Sequence, residues 1–398
     1  MQEQLSASRA VLWAAALSLG SAIALGMARF SYALLLPPMK LDLGWTFAQA
    51  GAMNTANALG YLLGALCFPR LSRRWTPATL LLAGCVSTTL LLAASGLVFS
   101  TSLLLALRVA AGIGSALVFI SGGVLAAQLA SLSTRGAGLL LGLYYGGTGW
   151  GIVASSVLVP FTVLPALHGW RYAWFALAAV CVACSIIATG AARRIETSHA
   201  RRARASDNQA AQASHGTWGA RIIPGLIGYA MFGIGYIGYM TFIVALLRTG
   251  GMSAATISGF YILLGAATVV SARLWSALLD RMRGGQALAV FNALLGIATL
   301  VPAFVMHPLA VFVSGSVFGA TFLLAVASTT AFVRHNLPAS QWAKGISAFT
   351  IVFALGQIAG PVVIGWVSDS AGLERGIVYS ALVLLVGAAV AACQRPLA

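Results

Sequence analysis

The sequence predicts an all-α membrane protein whose twelve transmembrane helices form two pseudo-symmetric halves of six helices each. Composition is the first observation: 60% of the 398 residues are hydrophobic and only 8% are charged, whereas a soluble protein has about 25% charged residues. Apolar runs of about 20 residues recur along the chain, and each can cross a hydrocarbon core of about 30 Å as a helix. The runs do not alternate apolar and polar residues, as the strands of an outer-membrane barrel would.

The apolar runs place the helices in order along the chain. We expect them at residues 9–37, 46–69, 77–98, 102–129, 137–163, 169–191, 219–247, 254–279, 286–306, 308–333, 342–367 and 374–393. The first run is too long for the apolar core of a cleavable signal peptide, so we expect it to remain as a helix.

One long polar stretch, residues 192–218, interrupts this pattern between the sixth and seventh helices. It lacks apolar periodicity, which is typical of a flexible linker. The predicted organisation is therefore an N-terminal bundle at 1–191, a cytoplasmic linker at 192–218 and a C-terminal bundle at 219–398.

The net charge of +16 comes mainly from basic residues in the loops between the helices. Sixteen of the 23 Lys and Arg residues lie on the side that holds both termini and the linker, and four lie on the opposite side. Because basic residues are retained on the cytoplasmic side during insertion, both termini are predicted to be cytoplasmic. Attraction to anionic lipid accounts for this basic surface, so no nucleic-acid partner is predicted.

The sequence carries no pattern typical of catalysis or metal binding. The five cysteines fall in or beside apolar runs, and the histidines and carboxylates do not form ligand clusters. No nucleophile, base and orienting group occur together as an active site requires. We therefore predict neither an enzyme nor a cofactor.

The two halves share motifs at an offset of about 210 residues. PRLSRR at 69–74 corresponds to DRMRGG at 280–285. Arg135-Gly136 is followed by Gly147 and Gly151, and Lys344-Gly345 is followed at the same spacing by Gly356 and Gly360. Such internal repeats are typical of transporter folds.

These motifs resemble the major facilitator superfamily along essentially the whole chain. ALCFPRLSRR at 65–74 matches the family's GxxxDRxGRR loop except at Pro69 and Ser72, and SALLDRMRGG at 276–285 is the second copy. The LxxxRxxxGxG pattern of the fourth helix is present around Arg108, while the antiporter-type GP pair is absent from the fifth helix. ARFSYALLLPPM and AGAMNTANALGYLLGAL are similar to a bacterial branch of the superfamily.

The resemblance implies a secondary transporter in a bacterial inner membrane that works by alternating access and functions as a monomer. It also implies that charged loop residues on the cytoplasmic face act as gating latches. These residues are Asp280, Arg281, Arg70, Arg73 and Arg74.

Three basic residues, Arg29, Arg108 and Arg273, lie within apolar runs. Each costs about 2.5 to 3.5 kcal/mol at the centre of a membrane helix, so each must be compensated. The seven carboxylates all lie in the tail, in the linker or at helix ends. The compensation must therefore come from carbonyls, polar side chains, aromatic rings, water or a bound anion.

Depth distinguishes the three arginines. Arg29 lies about 12 Å before the predicted helix end at Pro37, and Arg273 about 10 Å before Asp280, beyond comfortable reach of the surface. Arg108 lies about six residues into its helix, so its side chain could reach outward. The RxxSxxxD setting of Arg273 resembles the substrate-binding arginine of monocarboxylate and oxalate transporters, although Val269 replaces the aspartate of the monocarboxylate carriers.

Polar residues on several helices could complete a substrate site around these arginines, or could instead be hydrogen-bonding contacts between helices. Tyr32 follows Arg29 by three residues and is expected on the same helix face. The candidate substrate-binding residues are Tyr32, Asn57, Tyr144, Tyr236 and Gln357. Asn54, Tyr145, Thr148 and Tyr239 are polar residues on the same helices that could also contribute.

The sequence thus predicts a secondary transporter for a small organic anion such as a carboxylate. The lack of carboxylates at membrane depth argues against a cationic substrate, because a buried cation needs a negative partner. Efflux of neutral or amphipathic compounds, with structural arginines, is the alternative within transport. A membrane sensor or assembly factor without transport activity is the alternative of another class.

Overall fold

The structure, a computed structural model, describes residues 5–133, 137–205, 219–338 and 341–397. Within these ranges it is helical, with one isolated bridge between Leu5 and Ser133. A single 3₁₀ turn, Gly219–Ile222, precedes the seventh of twelve long helices. The helices are α1 (Ala7–Leu43), α2 (Phe47–Leu71), α3 (Pro77–Ser95), α4 (Thr101–Leu132), α5 (Ala137–Thr162), α6 (Arg171–Ala205), α7 (Ile223–Thr249), α8 (Ala254–Arg281), α9 (Gln286–Phe304), α10 (Pro308–Asn336), α11 (Trp342–Ala371) and α12 (Leu373–Ala392). The predicted all-α fold of twelve helices is confirmed.

Ten helices of the described ranges are long and apolar enough to cross a membrane. The two others, α2 and α5, are interrupted by glycines, asparagines and tyrosines, which lower their mean hydropathy. Helices that bury these polar side chains among other helices can span a membrane at lower hydropathy than helices that face lipid.

The helices divide into two compact units, and helix packing within the two units follows one pattern. The first unit holds residues 1–43 and 56–208, and the second holds 44–55 and 209–398. In the first unit α1 packs on α5 and α6, and α3 packs on α6. In the second unit α7 packs on α11 and α12, and α9 packs on α12. The same helix pairs therefore recur six positions later along the chain, as expected of a repeat.

The start of α2 belongs by its contacts to the second unit. Both carboxylate oxygens of Asp369 accept hydrogen bonds from the first turn of this helix, from the backbone N–H groups of Phe47 at 2.7 Å and Ala48 at 2.9 Å. A carboxylate at a helix N-terminus satisfies donors that have no partner inside the helix. Residues 44–55 thus fold with the C-terminal helices, a feature that the predicted bundles at 1–191 and 219–398 do not include.

The sixth helix is longer than the sequence analysis predicts. It continues to Ala205 rather than ending near residue 191, so the first part of the predicted linker is helical. The reason is intrinsic propensity, because AARRIETSHARRARA is rich in Ala and Arg, which are among the strongest helix formers. The remainder of the predicted linker, residues 206–218, lies outside the described residues.

α1 changes its hydrogen-bonding pattern in the middle. Residues Ala7–Ser21 and Tyr32–Leu43 are α-helical, whereas Ala22–Phe30 form a π-helix. At the end of this π-helical segment the N–H of Ser31 donates to the carbonyl of Gly26, five residues earlier, at 3.0 Å. Wide turns of this kind are rare and occur most often at functional sites.

Glycines let the π-helical segment approach α5 backbone to backbone. A methyl group placed on Gly26 would lie 2.5 Å from the Cα atom of Gly151 and 2.7 Å from the carbonyl oxygen of Thr148. Small residues at helix interfaces permit such close approach in membrane proteins. The hydroxyl groups of Ser21 and Thr148 add a hydrogen bond of 2.8 Å between the same two helices.

Candidate functional site

Arg29 lies in the last turn of the π-helical segment, among apolar side chains of the first unit. The whole residue is only 3% exposed. The segment that carries it is buried throughout, from Ala22 to Phe30. An arginine guanidinium carries a positive charge and only hydrogen-bond donors, with no acceptor atom.

Two of the three nitrogens of this guanidinium lack a hydrogen-bond acceptor in the described part of the chain. Nε and Nη2 of Arg29 are both buried without a partner among the residues that the structure describes. Leaving a buried donor unpaired costs about 1–3 kcal/mol, and more when the group is charged. Arg29 is therefore a buried cation that keeps two donor nitrogens without a hydrogen-bond partner among the described residues.

Arg108 on α4 is equally buried, at 3% exposure, but it is fully engaged. Its Nη1 donates to the carbonyl oxygen of Ala28 at 2.7 Å. The guanidinium carbon lies 5.1 Å from the ring centre of Tyr32 and 5.7 Å from that of Trp174. A carbonyl and two aromatic faces compensate its charge, so Arg108 joins α4 to α1 and α6 inside the unit and does not extend to the surface.

Two predicted site residues belong to the surroundings of Arg108. Tyr32 presents its ring to this guanidinium, and Asn57 donates from Nδ2 to the carbonyl oxygen of Arg108 at 3.3 Å. Both are buried. Sequence spacing alone associated Tyr32 with Arg29, whereas the observed ring contact is with the other arginine.

Tyr144 packs between α4 and α5. Its hydroxyl donates to the carbonyl oxygens of Phe119 at 2.9 Å and Val118 at 3.3 Å. The ring occupies the space that Gly122 leaves open by lacking a side chain. The Tyr144 hydroxyl is therefore hydrogen-bonded to the backbone of α4.

In the second unit, Gln357 on α11 donates from Nε2 to the hydroxyl of Tyr236 on α7. The tyrosine ring stacks on Phe232 at 4.7 Å and on Phe353 at 5.6 Å between ring centres, with nearly parallel planes. A hydrogen-bonded pair of polar groups therefore lies in an aromatic stack. Near it, Asn54 donates to the hydroxyl of Thr241 at 2.8 Å, and the hydroxyl groups of Tyr239 and Ser314 lie 2.8 Å apart.

Arg273 lies on α8 with an exposed side chain. The predicted latch residues Arg281, Arg70, Arg73 and Arg74 are exposed as well. Within the described part of the chain, none of these arginines forms an ion pair. The side chain of Asp280 lies outside the described residues, so the gating role of this group stays a prediction.

Three described carboxylates form hydrogen bonds, and none of these bonds is to a buried arginine. Asp42 accepts hydrogen bonds from the indole of Trp170 at 2.6 Å and from the backbone of His168 at 3.2 Å, and its carboxylate lies 2.5 Å from the His168 ring nitrogen Nδ1. Glu196 and Asp369 each bind the first turn of a neighbouring helix. Across the described residues, no three His, Cys, Asp or Glu side chains come together as metal ligands.

Two features of the site were missed by the sequence analysis. The π-helical segment has no sequence signature, because GMAR fits an α-helix equally well. Trp174, which covers Arg108, was not singled out, although a tryptophan in a membrane helix is a natural partner for a buried arginine.

The helix arrangement is that of solved transporter structures. It is similar to the nucleoside transporter NupG, with 12% sequence identity, a TM-score of 0.73, and coverage of 97% of this chain and 99% of that one. It is also similar to a bacterial homologue of the human lysosomal transporter Spinster, with 15% identity, a TM-score of 0.70 and 97% of each chain covered. Among curated proteins, none is similar enough in sequence to match this chain.

Fold and sequence together define a multi-pass membrane transporter of the major facilitator type. Residues 21–392 match the family described as "Uncharacterised MFS-type transporter YbfB". The chain belongs to this family, and it is therefore a secondary transporter and not an enzyme. The resemblance predicted from the loop and helix motifs is confirmed.

Proposed function

We propose that this transporter moves a small organic anion, such as a carboxylate, and that Arg29 binds the anionic group. The observation that carries the proposal is that Nε and Nη2 of Arg29 are buried with no hydrogen-bond partner among the described residues. A carboxylate or phosphate oxygen pairs with the planar guanidinium through two parallel hydrogen bonds. An anion of this class would therefore supply what the surrounding protein lacks.

The contrast with Arg108 supports this assignment. Both arginines are 3% exposed, yet Arg108 has a carbonyl and two aromatic rings as partners. If both residues had only a structural role, we would expect both to be satisfied by neighbouring groups. Arg29 differs because its partner is expected to come and go with transport.

The same arrangement argues against a cationic substrate. A buried cation requires a carboxylate. Of the described carboxylates, Asp42, Glu196 and Asp369 are hydrogen-bonded to other groups, and Glu374 is exposed. An anionic substrate needs only Arg29 and polar neighbours. Coupling then takes the form of anion exchange, uniport, or symport of a proton carried by the substrate itself.

The remaining parts of the proposal follow from the charge pattern and the family. Alternating access would move the substrate, with both termini in the cytoplasm of a bacterial cell and the protein acting as a monomer in the inner membrane. Arg273, Tyr236 and Gln357 are further candidates for substrate contact, and the cluster of Arg70, Arg73 and Arg74 remains the candidate gate with Asp280 and Arg281.

The test combines ligand screening with transport. Purified protein is screened by thermal shift against small mono- and dicarboxylates, and stabilising compounds are tested for uptake into proteoliposomes. We expect Arg29→Gln to abolish both stabilisation and uptake. The control is Arg248→Gln, which removes one exposed positive charge at the end of α7 and should leave both unchanged.

Two outcomes would contradict the proposal. If Arg29→Gln retained carboxylate stabilisation and uptake, Arg29 would be a structural residue. If only bulky neutral compounds stabilised the protein, the chain would be an exporter of neutral or amphipathic compounds.

A further inference from the structure

A cationic pocket lies at the C-terminal end of α6, away from Arg29 and independent of the proposed substrate. It has a volume of about 300 Å³. Its lining consists of three arginines, two hydroxyl side chains and an indole from α1: Arg193, Arg194, Arg201, Thr197, Ser198 and Trp13. The α6 residues recur at intervals of three and four, so they share one helix face.

Among the described residues, no carboxylate pairs with the arginines of this pocket. None of the three arginines forms an ion pair within the described part of the chain. The nearest acid in sequence, Glu196, is engaged elsewhere: its carboxylate accepts hydrogen bonds from the hydroxyl of Thr76 at 3.0 Å and the backbone N–H of Ala78 at 3.2 Å. Three arginines thus line one pocket whose described lining contains no carboxylate.

The pocket lies in line with exposed apolar side chains of the same helix. Ile186 and Ile187 are 70% and 51% exposed, and they precede Arg193 and Arg194 by seven residues each. Two helical turns separate each pair, which places the apolar and the basic side chains on the same side of α6. Trp13 adds the type of side chain that is enriched at membrane interfaces.

From these observations we infer that the pocket binds the phosphate headgroup of an anionic phospholipid. The guanidinium groups and hydroxyls supply donors for phosphate oxygens. The exposed isoleucines supply the apolar path along which acyl chains lie. A soluble phosphate compound would use the same donors but would gain nothing from the apolar stripe, so a membrane lipid is the favoured source.

The experiment measures lipid binding to full-length, delipidated protein in detergent. The probes are phosphatidylglycerol, phosphatidylcholine with the same acyl chains, and inorganic phosphate, with native mass spectrometry and thermal shift as readouts. We expect phosphatidylglycerol alone to bind and stabilise. Replacing the three pocket arginines by Gln should weaken its binding about a hundredfold, since each contributes about a fivefold effect near a membrane surface.

The matched control is the triple change Arg70→Gln, Arg73→Gln and Arg74→Gln, which removes the same charge from exposed positions of the same unit. It should retain phosphatidylglycerol binding. If the pocket triple variant does not fold, the single change Arg194→Gln is expected to weaken binding about fivefold.

Three results would overturn the inference. Equal losses in the two triple variants would indicate a general effect of net charge. Equal binding of phosphatidylglycerol and phosphatidylcholine would exclude recognition of the anionic headgroup. Stabilisation by inorganic phosphate to the same extent as by phosphatidylglycerol would indicate a soluble ligand.

Discussion

Arg108 donates a hydrogen bond of 2.7 Å to the carbonyl oxygen of Ala28, the residue directly before Arg29. One buried arginine therefore holds the backbone that presents the other. Arg108 acts as a structural support, and Arg29 is left with unpaired donors. This division of roles leads to opposite expectations for the two residues.

Arg108→Ala is expected to lower the free energy of unfolding by about 3 kcal/mol. The change removes the hydrogen bond to Ala28 and the contacts with the Tyr32 and Trp174 rings, and it leaves a cavity. Thermal unfolding in detergent measures the loss. The control Arg281→Ala alters an exposed side chain and should change the melting temperature little; an equal drop in both variants would contradict a structural role for Arg108.

Arg29→Met is expected to raise the stability of the ligand-free protein by about 1–3 kcal/mol. The change removes a buried charge with unpaired donors and keeps an unbranched apolar side chain of similar length. The measurement is the melting temperature without added anions. A melting temperature below that of the unchanged protein would indicate that Arg29 has stabilising partners in the folded state.

Gly26→Ala is expected to destabilise the first unit by about 1–3 kcal/mol. The added methyl group would lie 2.5 Å from the Cα atom of Gly151, so backbone must move to accept it. Gly190→Ala on α6 is the matched control, because an added methyl group there meets no atom within 4 Å. The control should raise the free energy of unfolding by about 0.5–1 kcal/mol, because Ala has a higher helix propensity than Gly. Thermal unfolding of both variants would then show a lower melting temperature for Gly26→Ala and a higher one for Gly190→Ala.

Asp42→Asn is expected to cost about 1–3 kcal/mol. The carboxylate accepts hydrogen bonds from the His168 backbone and the Trp170 indole, and charged acceptors form the stronger bonds. His168 also has a positive φ of 56°, so its backbone conformation depends on such contacts. Glu374→Gln changes an exposed acid and serves as the control in thermal unfolding. An equal loss of stability in both variants would show that the Asp42 contacts do not stabilise the fold.

The helix count and order could be predicted from the sequence because apolar length is a direct physical requirement for crossing a membrane. The positions of the helix ends were less predictable. α6 extends to Ala205 because Ala and Arg favour helix even outside the apolar run. α1 continues through Pro37 and Pro38 to Leu43, although the sequence suggested an end at Pro37.

The candidate site was predictable only in part. The structure buries both Arg29 and Arg108. The sequence placed both in apolar runs far from any acid, although it predicted that the side chain of Arg108 could reach outward. It could not tell which one is satisfied, because that depends on a carbonyl of α1 and on a ring from α6 that come together only in the folded unit. The exposure of Arg273 likewise depends on which face of α8 is turned outward.

The π-helical segment has a geometric consequence for Arg29. A π turn contains one residue more than an α turn, and one residue corresponds to about 100° of rotation around the axis of an α-helix. Conversion of this turn to α-helical hydrogen bonding would therefore shift the register of the helix and rotate the residues beyond it relative to those before it. The direction in which the Arg29 guanidinium points thus depends on the wide hydrogen-bonding pattern of Ala22–Phe30, the segment that contains it.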